Sequence, residues 1–246
     1  MGTVAKNKWV KYEFMKKDAS LAPYLPETKR MSRPSFWSLV KKHRHVMVKP
    51  VWGSRGRGVI QVSDLGDDRY AVHYENRETV KLGRENTYRH IQKIMGSARY
   101  MVQQRIPRPT INNRPFDMRV IVQRKKNSSQ WVVTGKLIKV AGKGYIVSNN
   151  TRSKGTLLRF KSGLQRSSIR HLSIAALESQ INKVSLLSVK RLKTLFPGHR
   201  IYGLDVATDQ EGRVSIIEAN LYPAMSHFHK LKDAALYRRI LAYKRG

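Results

Sequence analysis

The segment Val48-Lys49-Pro50-Val51-Trp52-Gly53-Ser54-Arg55-Gly56-Arg57-Gly58-Val59-Ile60 decides how the rest of the chain is read. An apolar run, Val46-Met47-Val48, ends in a lysine. Three glycines follow, and Val59-Ile60-Gln61-Val62 resumes strand character. The pattern is strand, loop, strand. Glycine lets backbone approach a ligand closely and adopt positive φ. A lysine beside a loop of free backbone N–H groups suits a chain of phosphates. The loop is not a Walker A sequence, since no Gly-Lys-Ser/Thr closes it, and it lacks the third glycine of the dinucleotide fingerprint at the required spacing. Taken alone, it reads equally well as a glycine-rich hairpin turn with a solvated lysine.

Composition narrows the setting. The 246 residues are 40% hydrophobic, enough for one large domain or two small ones. No stretch has the length of a membrane span. The start, Met1-Gly2-Thr3-Val4-Ala5-Lys6, has neither a signal-peptide apolar region nor the Ser/Thr at position six that myristoylation requires. The absence of cysteine excludes disulfides and thiolate zinc sites. A cytoplasmic protein is the expectation. The 49 Lys and Arg outnumber the 16 Asp and Glu, for a formal charge of +33. Such a field attracts polyanions: acidic peptides, nucleic acid, anionic polymers. Single runs, such as Lys41-Lys42-His43-Arg44, read as solvated surface.

Patterning along the chain predicts an α+β fold. Helices are expected near Asn7–Ser20, at Ser32–His43 with Ser32 or Ser35 as cap, at Thr87–Ile94 ended by Gly96, at Ser168–Phe196 with Leu172, Ala176, Val184, Leu187 and Leu195 inward, and at Ala234–Lys244. Beyond the glycine hairpin, two strands are expected between Asp67 and Lys81. Others are expected at Tyr100–Gln104, Phe116–Gln123, Trp131–Val140 and Tyr145–Val147, with a hairpin of Arg200–Ala207 and Arg213–Glu218. Pro107 and Pro109 form an irregular exit, a hinge between halves.

Three further constellations carry chemistry. In Ile216-Ile217-Glu218-Ala219-Asn220 the carboxylate and amide lie at i and i+2, on one face of a strand. If Thr208 pairs with Arg213, Asp205 lies opposite Ile216 on that same face. Asp205, Glu218 and Asn220 then offer three oxygen donors, a set that suits Mg²⁺. Phe116-Asp117-Met118-Arg119-Val120 places Asp117 and Arg119 on one face and apolar residues on the other. The arginine needs an anion, which is either Asp117 itself or a substrate. Ser148-Asn149-Asn150-Thr151-Arg152-Ser153-Lys154-Gly155 is a polar loop that could hold phosphate or acceptor. His43-x-His45 reads as surface, and His227-x-His229 is left open.

Taken in order, these segments resemble the ATP-grasp superfamily, in particular its YheC/YheD type, the endospore coat-associated ATP-grasp proteins. The carrying residues are Asn7-Lys8-Trp9, Leu25-Pro26-Glu27-Thr28, Val48-Lys49-Pro50 with the glycine loop, Val102-Gln103-Gln104-Arg105-Ile106, Phe116-Asp117-Met118-Arg119-Val120, Ser148-Asn149-Asn150, and Gly203-Leu204-Asp205 with Glu218-Ala219-Asn220. The resemblance implies an ATP-grasp fold: two α+β subdomains, residues 1–105 with the lid and residues 106–246 with the metal site, holding ATP between antiparallel sheets. It implies that Lys49 and Lys8 hold ATP phosphates. Gly53, Ser54, Arg55, Gly56, Arg57 and Gly58 would cover them as a lid. Gln103, Gln104, Arg105 and Ile106 would bind adenine and ribose, with Lys139 near the phosphates and Mg²⁺ on Asp205, Glu218 and Asn220. Arg119, Asn149 and Arg152 would face the γ-phosphate and acceptor, with Arg119, Lys49 and Asn149 as catalytic groups.

The implied activity is ATP- and Mg²⁺-dependent carboxylate–amine ligation on an anionic acceptor such as an acidic peptide. The alternatives are a kinase of a polyanionic substrate, or a non-catalytic spore-associated protein that binds nucleotide or polyanion, non-specific nucleic acid included. Ser153-Lys154 replaces the glycine pair that many such ligases carry after the asparagine loop, so the acceptor pocket is expected to differ. The N-terminal domain that usually precedes the nucleotide half is expected to be missing, its role falling to the basic surface or to a partner.

Overall fold

The computed structural model describes residues 2–53, 56–148 and 153–246. The helices are α1 (Gly2–Lys6), α2 (Lys8–Lys16), α3 (Arg33–His43), α4 (Arg84–Met95), α5 (Phe160–Gln165), α6 (Ile174–Leu195), α7 (Ser226–Lys230) and α8 (Ala234–Arg245). The strands are β1 (Thr28–Arg30), β2 (His45–Pro50), β3 (Ile60–Gly66), β4 (Arg69–Tyr74), β5 (Arg77–Leu82), β6 (Tyr100–Gln104), β7 (Thr110–Ile111), β8 (Arg114–Gln123), β9 (Val132–Val140), β10 (Thr156–Arg159), β11 (Ile201–Thr208) and β12 (Val214–Asn220). They form two compact units, one of residues 26–106 and 141–155, the other of residues 1–25, 107–140 and 156–246.

The first unit is an antiparallel sheet in the order β1-β6-β2-β3-β4-β5. Strand alternation sends Val46, Val48, Ile60, Val62, Val72 and Val102 to one face, where Phe36, Leu39 and Val40 of α3 and Tyr88 and Ile91 of α4 bury them. Helix α3 starts where a Ser32/Ser35 capping box satisfies its first free N–H groups. The register puts Met47, Lys49, Gln61, His73, Met101 and Gln103 on the other face. Lys49 is therefore a polar residue on the face that no helix of the unit's apolar core covers.

The second unit is an antiparallel sheet in the order β10-β9-β8-β11-β12, with β7 paired to β8. One face carries Phe116, Met118, Val120, Ile138, Leu204, Val206 and Ile216 into a core closed by α2, α5 and α6. On the opposite face Phe228 and Ile240 of α7 and α8 bury Ile121 and Leu137 at one end.

Several expectations change. The chain does not divide once at residue 105. Met15 and Leu21 are buried in the second unit's core, so residues 1–25 belong there. Residues 141–155 join the first unit, where His73 Nε2 donates to Gly144 O at 3.0 Å and Val147 occupies the space beside Gly56. Tyr145–Val147 is not a strand. Helix α6 starts at Ile174 behind the Ser173 cap, and its buried stripe is Leu177, Ile181, Val184, Ser188 and Leu192, while Ala176 is exposed. Strands β1, β7 and β10 and helix α5 are short segments whose pattern is too brief to read in advance.

Gly58 and Gly66 both lie at positive φ, 72° and 85°, where a side chain costs about 1–2 kcal/mol. At Gly58 a Cβ would also stand 2.7 Å from the Tyr100 hydroxyl, whereas at Gly66 nothing lies within 4 Å. Gly58→Ala is therefore expected to destabilise the protein more than Gly66→Ala, as read from urea midpoints. Equal losses would mean that the loop is not seated against Tyr100.

Candidate nucleotide and metal site

In the second unit the end of the sheet face away from Ile121 and Leu137 is polar, and its Asp117, Arg119 and Lys139 are buried. Register sets Asp117 beside Lys139, Arg119 beside Asp205, Asp205 beside Glu218, and Gly203 beside Asn220. Thr208 pairs with Val214 rather than Arg213, and an irregularity after Asp205 brings that residue opposite Glu218 instead of Ile216. The three oxygen donors thus share one face, as expected, through a different register.

These groups are wired together. Arg119 Nε and Nη2 donate to Asp205 Oδ1 and Oδ2 at 2.9 and 3.2 Å. Lys139 Nζ reaches Asp205 Oδ1 and Asp117 Oδ1, each at 2.8 Å. Arg108 Nη1 lies 3.2 Å from Asp117 Oδ2. Arg119 therefore takes its anion from Asp205 on a neighbouring strand, and Asp117 is held by Arg108 and Lys139. Burial alone would raise the Asp205 carboxyl, but the Arg119 and Lys139 charges outweigh it and hold the group well below the usual carboxylate range. Burial likewise pulls on Lys139, and Asp117 and Asp205 overcome it to raise its pKa. Arg108, Arg119 and Lys139 thus face Asp117, Asp205 and Glu218, the last of which adds to the field that raises Arg119. Gly203 makes room: a Cβ there would stand 2.4 Å from the Pro223 ring and 3.4 Å from Arg119 Cδ.

Two groups join the site beyond those singled out from sequence. Lys11 is 3% exposed, and its ammonium donates to Ala5 O at 3.0 Å and Ala219 O at 2.5 Å. It thereby grips the peptide between Glu218 and Asn220. Burial lowers its pKa to about 8, Glu218 opposing and Lys8 adding to the fall. Its position three residues after Lys8 and four before buried Met15 was the available signal, a lysine in the inward stripe of a helix. His227 is the second. Its Nδ1 is buried without a hydrogen-bond partner. Burial, then Arg119 and Lys139, push its pKa down to about 4. His229 instead packs edge-on against Tyr237, at 5.3 Å.

The donor chemistry of Asp205, Glu218 and Asn220 fits Mg²⁺: two carboxylates and an amide oxygen, all hard donors. Among the described residues no three of His, Cys, Asp and Glu cluster in metal-binding geometry. Asp205 Oδ1 already accepts two hydrogen bonds, leaving Oδ2 and Glu218 the freer oxygens.

In the first unit, Lys49 Nζ donates to Gln103 Oε1 at 2.5 Å, Gln103 Nε2 to Thr28 Oγ1 at 2.8 Å, and Thr28 Oγ1 to Pro26 O at 2.8 Å. The relay fixes the Gln103 amide and points its oxygen at the lysine. The amides of Gln104 and Arg105 donate to Glu27 O and His45 O, so adenine bound here must use carbonyls or the Ile106 amide. Gln104 Oε1 accepts from Glu27 N at 3.4 Å. Gly53, Gly56 and Gly58 all take positive φ, and Arg57 is exposed. Ser54, Arg55, Asn149 and Arg152 lie outside the described residues. Lys8 opens α2 in the second unit, apart in the chain's division from Lys49.

A family model described as YheC/D like ATP-grasp matches residues 2–245. This chain belongs to that family. Its sequence is 26% identical over 231 residues to the endospore coat-associated protein YheD of Bacillus subtilis (strain 168), covering 90% of this chain and 49% of YheD. It is 23% identical over 229 residues to YheC of the same organism, covering 91% of this chain and 61% of YheC. The chain thus spans about half the length of YheD and about three fifths of that of YheC. The crystal structure of D-cycloserine synthetase DcsG is similar to 99% of this chain and 71% of its own, with a TM-score of 0.61 at 11% identity. That likeness is one of fold: the α+β ATP-grasp architecture with two antiparallel sheets. Among the described residues no helix is long and apolar enough to cross a membrane.

Two outcomes test the site's wiring. Lys11→Met strands the Ala5 and Ala219 carbonyls, at about 1–3 kcal/mol for a buried group left unsatisfied. Urea denaturation should show that loss, and an unchanged midpoint would mean the ammonium does not bind both carbonyls. For His227, a folded-state pKa near 4 against an ordinary 6.5 means the native state binds fewer protons across that window. Stability should therefore rise with pH from about 4 to 6.5 and fall on acidification. His227→Gln should flatten the slope in a pH series of denaturation midpoints.

Proposed function

We propose that this protein uses ATP and Mg²⁺ to join a carboxylate to an amine. The observation that carries the reading is the run of Arg108, Asp117, Lys139, Asp205 and Arg119 beside Glu218 and Asn220, at the polar end of one sheet face. The arrangement supplies charge neutralisation and oxygen donors rather than a side-chain nucleophile. That suits phosphoryl transfer, where the protein's task is positioning and electrostatic stabilisation. Family membership supports ATP use in general.

In the proposed reaction a carboxylate oxygen of the acceptor bonds to the γ-phosphorus and the bond to the bridging oxygen of ADP breaks. The amine nitrogen then bonds to the acyl carbon, phosphate leaves with the former carboxylate oxygen, and the proton that the nitrogen loses passes to the departing phosphate. Arg119 and Lys139 stabilise negative charge that develops in both steps. Lys49, held by Gln103, binds phosphate oxygens in the ground state. Asp205, Glu218 and Asn220 hold Mg²⁺, which when bound supplies Lewis-acid neutralisation of the phosphate chain. Lys11 keeps Glu218 and Asn220 aligned through the Ala219 carbonyl. The basic composition favours an anionic acceptor. The likeness to the endospore coat-associated proteins YheC and YheD extends the proposal to association with the endospore coat.

Calorimetry with ATP, with and without Mg²⁺, is the direct test. Wild type should bind with a metal-dependent component that Glu218→Gln removes. Lys49→Ala should weaken ATP by about 1.5–3 kcal/mol, the worth of a hydrogen bond to a charged group, while sparing adenosine. No binding in either condition overturns the reading. Turnover that yields ADP, phosphate and an amide identifies a ligase. The net charge of +33 also suits a polyphosphorylated hydroxyl acceptor, and a kinase would yield ADP and phosphorylated acceptor without free phosphate.

A further inference from the structure

The charge excess is not uniform. At the end of the second sheet remote from Asp117 and Asp205, four chain segments converge: the exit of β8, the entry of β9, the entry of β11 and the C-terminus of α8. Gln123 pairs with both Val132 and Ile201. Arg200 donates to Lys244 O and Gly246 O, at 3.3 and 3.2 Å. Lys125 Nζ sits 5.5 Å from the Tyr243 ring. Together these ends bring Arg124, Lys125, Lys126, Arg200, Arg238, Arg239, Lys244 and Arg245 to one region. Residues 124–131, 197–200 and 238–246 contain no Asp or Glu. None of the eight forms an ion pair with an acidic side chain among the described residues. The α8 C-terminus offsets only about half a charge.

We propose that this end of the second unit is a docking surface for a phosphodiester polyanion, a nucleic acid, bound through its backbone. Like charges so concentrated repel unless an external anion relieves them. The occupant's class follows from what the patch lacks. The large exposed hydrophobic side chains are Val4, Trp52, Leu65, Val80, Leu82 and Tyr222, none of which lies in these segments. A protein partner would need an apolar anchor at the centre of its interface, and a membrane surface would need apolar side chains to insert. A polymer recognised by repeated phosphate charge needs neither. Five of the eight cations are arginine, whose planar fork matches phosphate oxygens. The proposal is independent of the ATP reading, because the patch lies at the other end of the sheet from the metal donors.

The test compares two quadruple variants. One replaces Lys125, Lys126, Arg238 and Lys244, all exposed, with Gln. The other replaces Lys161, Arg166, Arg170 and Lys183, equally exposed but on α5, α6 and the loop between them, with Gln. Binding of fluorescent oligothymidylate is measured by anisotropy over a salt series, and circular dichroism checks that both variants stay folded. Wild type should bind with a steep salt dependence. The patch variant should lose at least tenfold in affinity and flatten the log–log salt slope by about 3, at roughly 0.7 per lost phosphate contact. The control variant should lose less than threefold. Equal losses in the two variants would show a diffuse field and overturn the proposal, as would absence of oligothymidylate binding by wild type. Equally tight binding of polyglutamate or of anionic phospholipid vesicles would overturn the nucleic-acid assignment.

Discussion

Asp205 is a buried acid in a molecule with three times as many cations as anions, and it is held by Arg119 from β8 and Lys139 from β9. Neither cation could be buried alone, because desolvating an unpaired charge costs several kcal/mol. Neither could Asp205. Each strand of the triad therefore requires its neighbour in register. A slip of one residue would turn the charged groups into the apolar core and Met118, Val120 and Leu204 into the site. The polar network thus specifies register as well as chemistry.

The apolar face of the same strands supplies the stability that tolerates this arrangement. Helices α2, α5 and α6 pack on one face, and α7 and α8 bury Ile121 and Leu137 on the other. The rest of that second face carries Asp117, Arg119, Lys139, Asp205, Glu218 and Asn220, and the first three of these are themselves buried. Gly203 lets Pro223 and Arg119 lie against the sheet there, and Lys11 ties α2 to β12 at Ala219. In the first unit the same division recurs. Helices α3 and α4 cover the valine-rich face, and Lys49, Gln103 and Met47 occupy the face opposite. In both units, the polar side chains of the candidate site sit where strand alternation points away from the helices of the apolar core.

Much of this was legible in advance because it depends on short-range periodicity. The Ser32 cap, the Gly96 stop, the β2–β3 hairpin around the glycines and the β11–β12 hairpin around Asp209–Gly212 are each set by residues a few positions apart. The shared face of Glu218 and Asn220 follows from the two-residue repeat of a strand. Where the reading missed, the signal was either too short or non-local. Strand β10 has four residues and β7 two. The stripe of α6 was read one residue out of phase at Ala176, because Ser185 and Ser188, both fully buried, do not look apolar.

The sequence by itself determined the α+β class, through its patterning, and the ATP-grasp family, through resemblance; the two-residue repeat of a strand put Glu218 and Asn220 on one face. Only the tertiary structure decided which charge neutralises which. That Arg119 pairs with Asp205 rather than with Asp117 two residues away depends on β8 lying between β9 and β11. That Asp205 faces Glu218 depends on an irregularity in one hairpin. That residues 1–25 belong with the C-terminal unit depends on Lys11 and Met15 finding partners some two hundred residues away. Such choices are made by desolvation: a buried charge must find its counter-charge, and packing, not order along the chain, brings the two together.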